Sequence, residues 1–158
     1  MDRAPFFPMM IDLQGKYVLV VGGGNVASRR TETLLRCGAV VRAVSPSFLP
    51  DFPPAAERIS RPFSPEDITP NYSLVIAATN SRSVNSLVHS LAKAQSIPVN
   101  VCDSQTECDF FFPSLINHEY VSVSVSTAGI SAGLTRRLSD KLRRVWRSWV
   151  IEAKNAVL

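Results

Sequence analysis

Blocks of apolar residues separated by short polar stretches mark out the first part of the chain. Residues 17–21, YVLVV, are apolar without alternation. A strand exposed on one face would alternate, so this run predicts a strand covered on both faces, as in a parallel sheet. Residues 25–37 predict a helix with Val26, Ala27, Leu34 and Leu35 on one face and Gly38 as its stop. Residues 40–45, VVRAVS, predict a second strand closed by Pro46. Strand, helix and strand in this order make a βαβ unit. The proline-rich stretch 46–72 holds a short strand near Arg58–Arg61 and one helical turn near Pro65–Ile68. LVIAA at 74–78 is the next strand. A helix over 81–95 carries Val84, Leu87, Val88 and Leu91 on one side, and Pro98–Cys102 is a fifth strand. The alternation predicts an α/β class with a doubly wound parallel sheet.

After Asp103 the pattern changes. DFFF at 109–112 and YVSVSVS at 120–126 predict two strands with no full helix between them. The second alternates strictly, with Val121, Val123 and Val125 on one face and Ser122, Ser124 and Ser126 on the other. That is the pattern of a half-exposed strand in an antiparallel pair. Residues 131–149 predict an amphipathic helix whose apolar stripe is Leu134, Leu138, Leu142, Val145 and Trp149. The division falls between a first domain over 1–113 and a small α+β region over 114–158.

A length of 158 residues fits one ordinary domain or one domain with a small appendage, and 46% hydrophobic residues suffice for a core. No apolar run nears the roughly 18 residues of a membrane span. The amino-terminal MDRAPFFPMMIDLQG lacks the apolar length and cleavage site of a signal peptide. The expectation is a soluble, cytoplasmic protein without a membrane partner. Cys37, Cys102 and Cys108 are odd in number, lie among apolar neighbours and lack paired zinc spacing. They are expected to be reduced, buried thiols rather than a disulfide framework. His89 and His118 have no partner at ligand spacing, so no metal site is expected.

The net charge of +4 suits an anionic partner. Arg29 and Arg30 lie on the first helix, and Arg136, Arg137, Lys141, Arg143, Arg144 and Arg147 crowd the last. A solvated helix face explains such a cluster equally well. No nucleic-acid motif or stacking pattern accompanies it, so nucleic acid is not an expected partner. Trp146 and Trp149 beside the leucine stripe suggest contact with a second copy, because a monomer would expose a sizeable apolar patch.

The first strand runs into G-x-G-x-x-A as Gly22, Gly24 and Ala27. Gly22 permits the tight turn, Gly24 lets a diphosphate approach the backbone, and Ala27 lets the helix pack close to the sheet. The helix N-terminus adds unpaired N–H groups and partial positive charge. An acidic residue would ordinarily close the second strand to hold the ribose hydroxyls. Val44, Ser45, Pro46 and Ser47 stand there instead. Hydroxyls and backbone must do that work, and Arg42 leaves a 2′-phosphate open. NAD is preferred to NADP. The fifth strand delivers Asp103 to the same sheet edge, three residues after Asn100. A carboxylate there can accept a proton as hydride leaves to a nicotinamide. A turn or helix-cap aspartate is the other reading of that position.

In order, GGGNVASRR, AVSPSF, IAATN, VNVCD, DFFFPSLIN and VSVSTAGISAGLTRRL resemble the precorrin-2 dehydrogenase family, the dehydrogenase part of sirohaem synthases. The likeness runs from about Phe7 to Trp146. It implies a Rossmann-like domain followed by a dimerisation region, with the active site in the cleft between them. It also implies a homodimer that oxidises precorrin-2 to sirohydrochlorin with NAD⁺. Some members also insert Fe²⁺ into the product. The family's essential aspartate falls on Asp103. Its nucleotide loops fall on Gly22, Gly23, Gly24, Asn25 and Val26 and on Ser45, Pro46 and Ser47. Thr79 and Asn80 fall near the nicotinamide ribose, and Ser126, Thr127 and Gly129 on the substrate side, where Asn100 of the fifth strand is also a candidate. The chain departs from the family where Ala128 and Ala132 replace a glycine and a proline. Two other readings share these features: a regulatory NAD-binding module without turnover, and a tetrapyrrole carrier.

Overall fold

The computed structural model of the chain describes residues 6–119 and 121–157. They form two compact units, one over Phe7–Phe110 and one from Phe111 onward together with Phe6.

In the first unit five parallel strands form one sheet: β1 (Tyr17–Val21), β2 (Val40–Ser45), β3 (Glu57–Ser60), β4 (Leu74–Ala77) and β5 (Val99–Val101). Their spatial order is β3-β2-β1-β4-β5. The chain moves outward from β1 in one direction and then crosses to β4, so the order reverses between β1 and β4. Such a reversal opens a crevice beyond the carboxyl ends of the strands. Helix α1 (Asn25–Arg36) links β1 to β2 and packs on both, and α2 (Arg82–Ala94) links β4 to β5 and packs on both.

Val18, Leu19, Val20 and Val21 are all inaccessible to solvent, as are Val75, Ile76 and Ala77. Burial on both faces is why these strands read as unbroken apolar runs. Leu19, Val21, Val75 and Val99 join Val88 and Ala92 of α2 in one cluster. The helix faces differ from expectation. On α1 the buried positions are Ala27, Thr31 and Leu34, spaced four and three apart, while Val26 is exposed at the first turn. On α2 they are Asn85, Val88 and Ala92, and Leu87 is exposed. In both helices a polar residue takes a position on the buried stripe, where hydrophobicity alone does not find it.

In the second unit β6 (Ser114–His118) pairs antiparallel with β7 (Val121–Val125), and α3 (Ala132–Val157) packs on both. The valines of β7 are half-buried and its serines exposed, as the alternation requires. The expected strand over 109–112 is absent, and β6 begins after Pro113. Asp109 explains the difference. Its N–H donates to the Val99 carbonyl at 2.9 Å and its carboxylate accepts from the Val99 N–H at 3.0 Å. A side chain thus replaces the backbone acceptor, and no ladder continues. Tyr120, placed in the second of those strands by the sequence, lies outside the described residues.

Helix α3 is longer than expected and is rotated. Its sheltered positions include Thr135, Ser139, Leu142, Val145, Trp146 and Val150, so Leu142 and Val145 of the predicted stripe lie inward, whereas Leu134, Leu138 and Trp149 are exposed. Among the described residues no helix is long and apolar enough to cross a membrane.

Candidate functional site

The carboxyl ends of four strands finish in one row. The Gly22 N–H donates to the Val44 carbonyl at 2.9 Å, the Ala78 N–H to Val21 at 2.8 Å, and the Cys102 N–H to Ala77 at 2.9 Å. With the strand register, these bonds set Ser45, Gly22, Ala78 and Cys102 level across β2, β1, β4 and β5. Every candidate nucleotide residue, and Asp103, follows directly from this row.

The three glycines have different tasks. Gly22 has φ 133°, and a Cβ there would lie 2.3 Å from the Ala78 carbonyl oxygen. Both conformation and space demand glycine. At Gly23 a Cβ would lie 2.1 Å from the Ser47 carbonyl oxygen. Gly23 therefore lets the loop after β2 close onto the turn, and the Leu49 N–H bonds back to the Gly23 carbonyl at 3.0 Å. At Gly24 a Cβ would meet nothing within 4 Å. Its open side suits close approach of a ligand. Gly24 also precedes α1 without a side-chain cap, and no acidic residue lies in the first turn. The N–H groups of Asn25 and Val26 thus begin a helix terminus whose partial charge favours an anion.

Ser45 is buried and its hydroxyl donates to the Ser47 carbonyl at 2.7 Å, which folds the loop. Pro46 and Ser47 are exposed at the edge. Phe48 and Phe52 stack edge to face behind them, with centroids 4.9 Å apart. Arg42 lies further back in β2, where it donates to Glu57 at 2.9 Å and to the Tyr72 hydroxyl at 3.3 Å. It is thereby committed within the sheet rather than at the ribose edge.

Thr79 and Asn80 join β4 to the Ser81 cap of α2. The Thr79 amide and hydroxyl donate to Asn85 Oδ1 at 3.1 and 2.7 Å, and Asn85 Nδ2 returns a bond to the Thr79 carbonyl at 3.0 Å. Sequence reasoning missed Asn85. Its signal was a polar residue on the apolar side of α2, one turn past the strand end.

Asp103 is on the loop after β5, with its side chain 37% exposed. Arg82 donates to its Oδ1 at 2.7 Å. Beneath the loop, Asn100 is buried, donates to the Phe110 carbonyl at 2.8 Å and accepts from the Cys102 thiol at 3.6 Å. It braces the loop from within. The Cys108 sulfur accepts from the Val101 N–H at 3.2 Å. Desolvation pushes the Cys102 thiol up, against the pull of the Arg30 guanidinium bonded to it, and desolvation pulls Arg30 down. Cys37, at the end of α1, and Cys102, just past β5, are exposed and Cys108 is half-buried, contrary to the buried expectation. All three are free thiols.

In the second unit, Ser126, Thr127 and Gly129 lie between β7 and α3. The Ser126 hydroxyl accepts from the Ala128 N–H at 3.0 Å, and Thr127 Oγ1 accepts from the Ser131 N–H at 3.1 Å. Ala128 and Gly129 both have positive φ, at 53° and 81°. Among the described residues no three potential metal ligands gather.

The family described as putative NAD(P)-binding matches residues 9–114. A siroheme synthase of Photorhabdus laumondii is 38% identical over 141 residues, covering 87% of this chain and 30% of the relative. One from Pseudoalteromonas translucida is 40% identical over 142 residues, with the same coverage. The chain thus spans about 30% of the length of these curated relatives. The solved structure titled "SirC, precorrin-2 dehydrogenase" superposes with a TM-score of 0.73 at 30% identity, covering 87% of this chain and 69% of that one. With the glycine turn, the strand order and the matched residues in agreement, the chain belongs to the NAD(P)-binding precorrin-2 dehydrogenase family.

Proposed function

We propose that the chain oxidises precorrin-2 to sirohydrochlorin with NAD⁺, using Asp103 as the base. The observation that carries this reading is the level row of strand ends, which brings the glycine turn, the Ser45–Ser47 loop, Thr79–Asn80 and Asp103 to one edge of one unit. The residues fit the cofactor: Gly24 is open where a diphosphate would approach, and α1 starts uncapped.

The N–H groups of Asn25 and Val26 would hold the diphosphate. Ser47 and the backbone around Pro46 would meet the adenosine ribose, and the Thr79–Asn80 turn, held by Asn85, would meet the nicotinamide ribose. Two hydrogens leave precorrin-2, one as hydride and one as a proton. Bound NAD⁺ supplies the hydride acceptor. Asp103 takes the proton, and Asn100 keeps its loop in place from below. With Fe²⁺ as a further substrate, the same carboxylate would take pyrrole protons; acceleration of iron insertion into sirohydrochlorin over the uncatalysed reaction checks this.

Formation of NADH, followed by absorbance with precorrin-2, tests the reading. Wild type should turn over, and Asp103→Ala should lose at least about a hundredfold in kcat with its melting temperature retained. NAD binding without turnover would instead mark a regulatory module. Binding of sirohydrochlorin without any need for a dinucleotide would mark a carrier.

The exposed Leu134, Leu138 and Trp149 on α3 also support a homodimer, since together they form an apolar strip on one helix.

A further inference from the structure

Arg82 is the first residue of α2. A cation at a helix N-terminus opposes the macrodipole, and none of Ser83, Val84 and Asn85 in the same turn offsets it. The guanidinium instead reaches across to the loop after β5. Nη1 donates to Asp103 Oδ1 at 2.7 Å, and Nη2 donates to Glu107. Nη2 and Nε also donate to Ser86 Oγ, at 2.6 and 3.2 Å, which fixes the plane of the fork from its own helix. One side chain thus holds two carboxylates four residues apart on one loop.

Exposed ion pairs add little to stability, and these side chains are 44% exposed for Arg82 and 37% for Asp103. The geometric effect is larger. A planar guanidinium with donors on separate nitrogens fixes direction as well as distance, which a lysine ammonium does not. We propose that Arg82 is the positioning residue for Asp103. It engages Oδ1 and turns Oδ2 toward the substrate proton, while Glu107 anchors the other side of the fork. The inference rests on Asp103 being the base.

The test compares wild type, Arg82→Ala, Arg82→Gln, Arg82→Lys, Asp103→Ala and Lys93→Ala by steady-state NADH formation and thermal melting. Lys93 lies near the other end of α2, in an exposed ion pair with Asp109, and serves as the helix control. Arg82→Ala and Arg82→Gln should lower kcat about 10- to 100-fold with KM for both substrates within about twofold, as expected for a misaimed base. Millimolar guanidinium should restore part of the Arg82→Ala rate. Arg82→Lys should recover less than half of the loss, and Lys93→Ala should keep wild-type kcat.

A full kcat in either Arg82→Ala or Arg82→Gln overturns the proposal. So does a raised KM at unchanged kcat, which would make Arg82 a substrate ligand. An equal loss in Lys93→Ala, or unfolding of both Arg82→Ala and Arg82→Gln, would show a structural role and overturn it too. Wild-type turnover in Asp103→Ala defeats the base assignment itself and the positioning role with it, a result separate from any seen in the Arg82 variants.

Discussion

Asn85 and Thr79 hold each other through three hydrogen bonds between one buried carboxamide and the second residue after β4. The carboxamide does there what a further backbone strand would do, so the turn stays fixed where the sheet has ended. Asn85→Leu keeps the branching and heavy-atom count but leaves the Thr79 N–H and carbonyl without these partners. It should cost about 2–6 kcal/mol, from about 1–3 kcal/mol for each of the two orphaned groups. Urea unfolding of the variant against wild type measures this.

The glycine turn separates folding from binding. Gly22→Ala meets both a positive φ and the Ala78 carbonyl, so it should lower the melting temperature and abolish NAD binding. Gly24→Ala meets neither. It should melt near the wild-type temperature, since the gain of about 0.4–1 kcal/mol from removing a glycine of ordinary φ is offset by alanine being a poorer N-cap than glycine. Its NAD affinity should nevertheless fall about tenfold or more, because the methyl group occupies the diphosphate's approach. Calorimetric titration beside a thermal melt reads both quantities.

Acid should weaken the tie between Asp109 and the start of β5. Burial alone would raise the Asp109 carboxyl, but the Lys93 ammonium and the Val99 N–H hold it below its ordinary value. A carboxyl depressed in the folded state contributes stability that is present above its unfolded pKa, about 3.9. That contribution is lost as pH falls through the lower folded value. The stability difference between wild type and Asp109→Asn should therefore be largest near neutrality and shrink as pH drops below about 4. Denaturant midpoints across that range check the sign.

If the exposed strip on α3 meets a second copy, Leu138→Glu should halve the mass seen by light scattering. Secondary structure should be unchanged, since Leu138 is 42% exposed within its own unit.

Legibility in the sequence followed the number of neighbours each residue answers to. β1, β2 and β4 were plain because both faces are buried, and Gly22 because a turn off a central strand admits little else. The alternating valines and serines of β7 were plain for the opposite reason, one face being open. β6 was misplaced because Asp109 bonds to β5 through its side chain, which no hydropathy pattern records. The α3 stripe was misjudged in part because small polar residues, Thr135 and Ser139, face inward while Leu134 and Leu138 face out. At the strand ends, the position of Asp103 was readable from its strand, but the partners Arg82 and Asn85 were not. Their partners are 21 and 6 residues away in the chain and meet them only once the strands align.

The row formed by Ser45, Gly22, Ala78 and Cys102 makes the sheet a ruler with only one end in use. An added residue in the connections that enter the strands, at 37–39 or 95–97, would be taken up before the strand begins and leave the four marks in line. The same addition at 22–24, 45–47 or 78–80 would move one mark against its neighbours and break the alignment. Length variation among relatives of this chain should accordingly collect at the amino ends of the strands, and the carboxyl ends should keep their spacing.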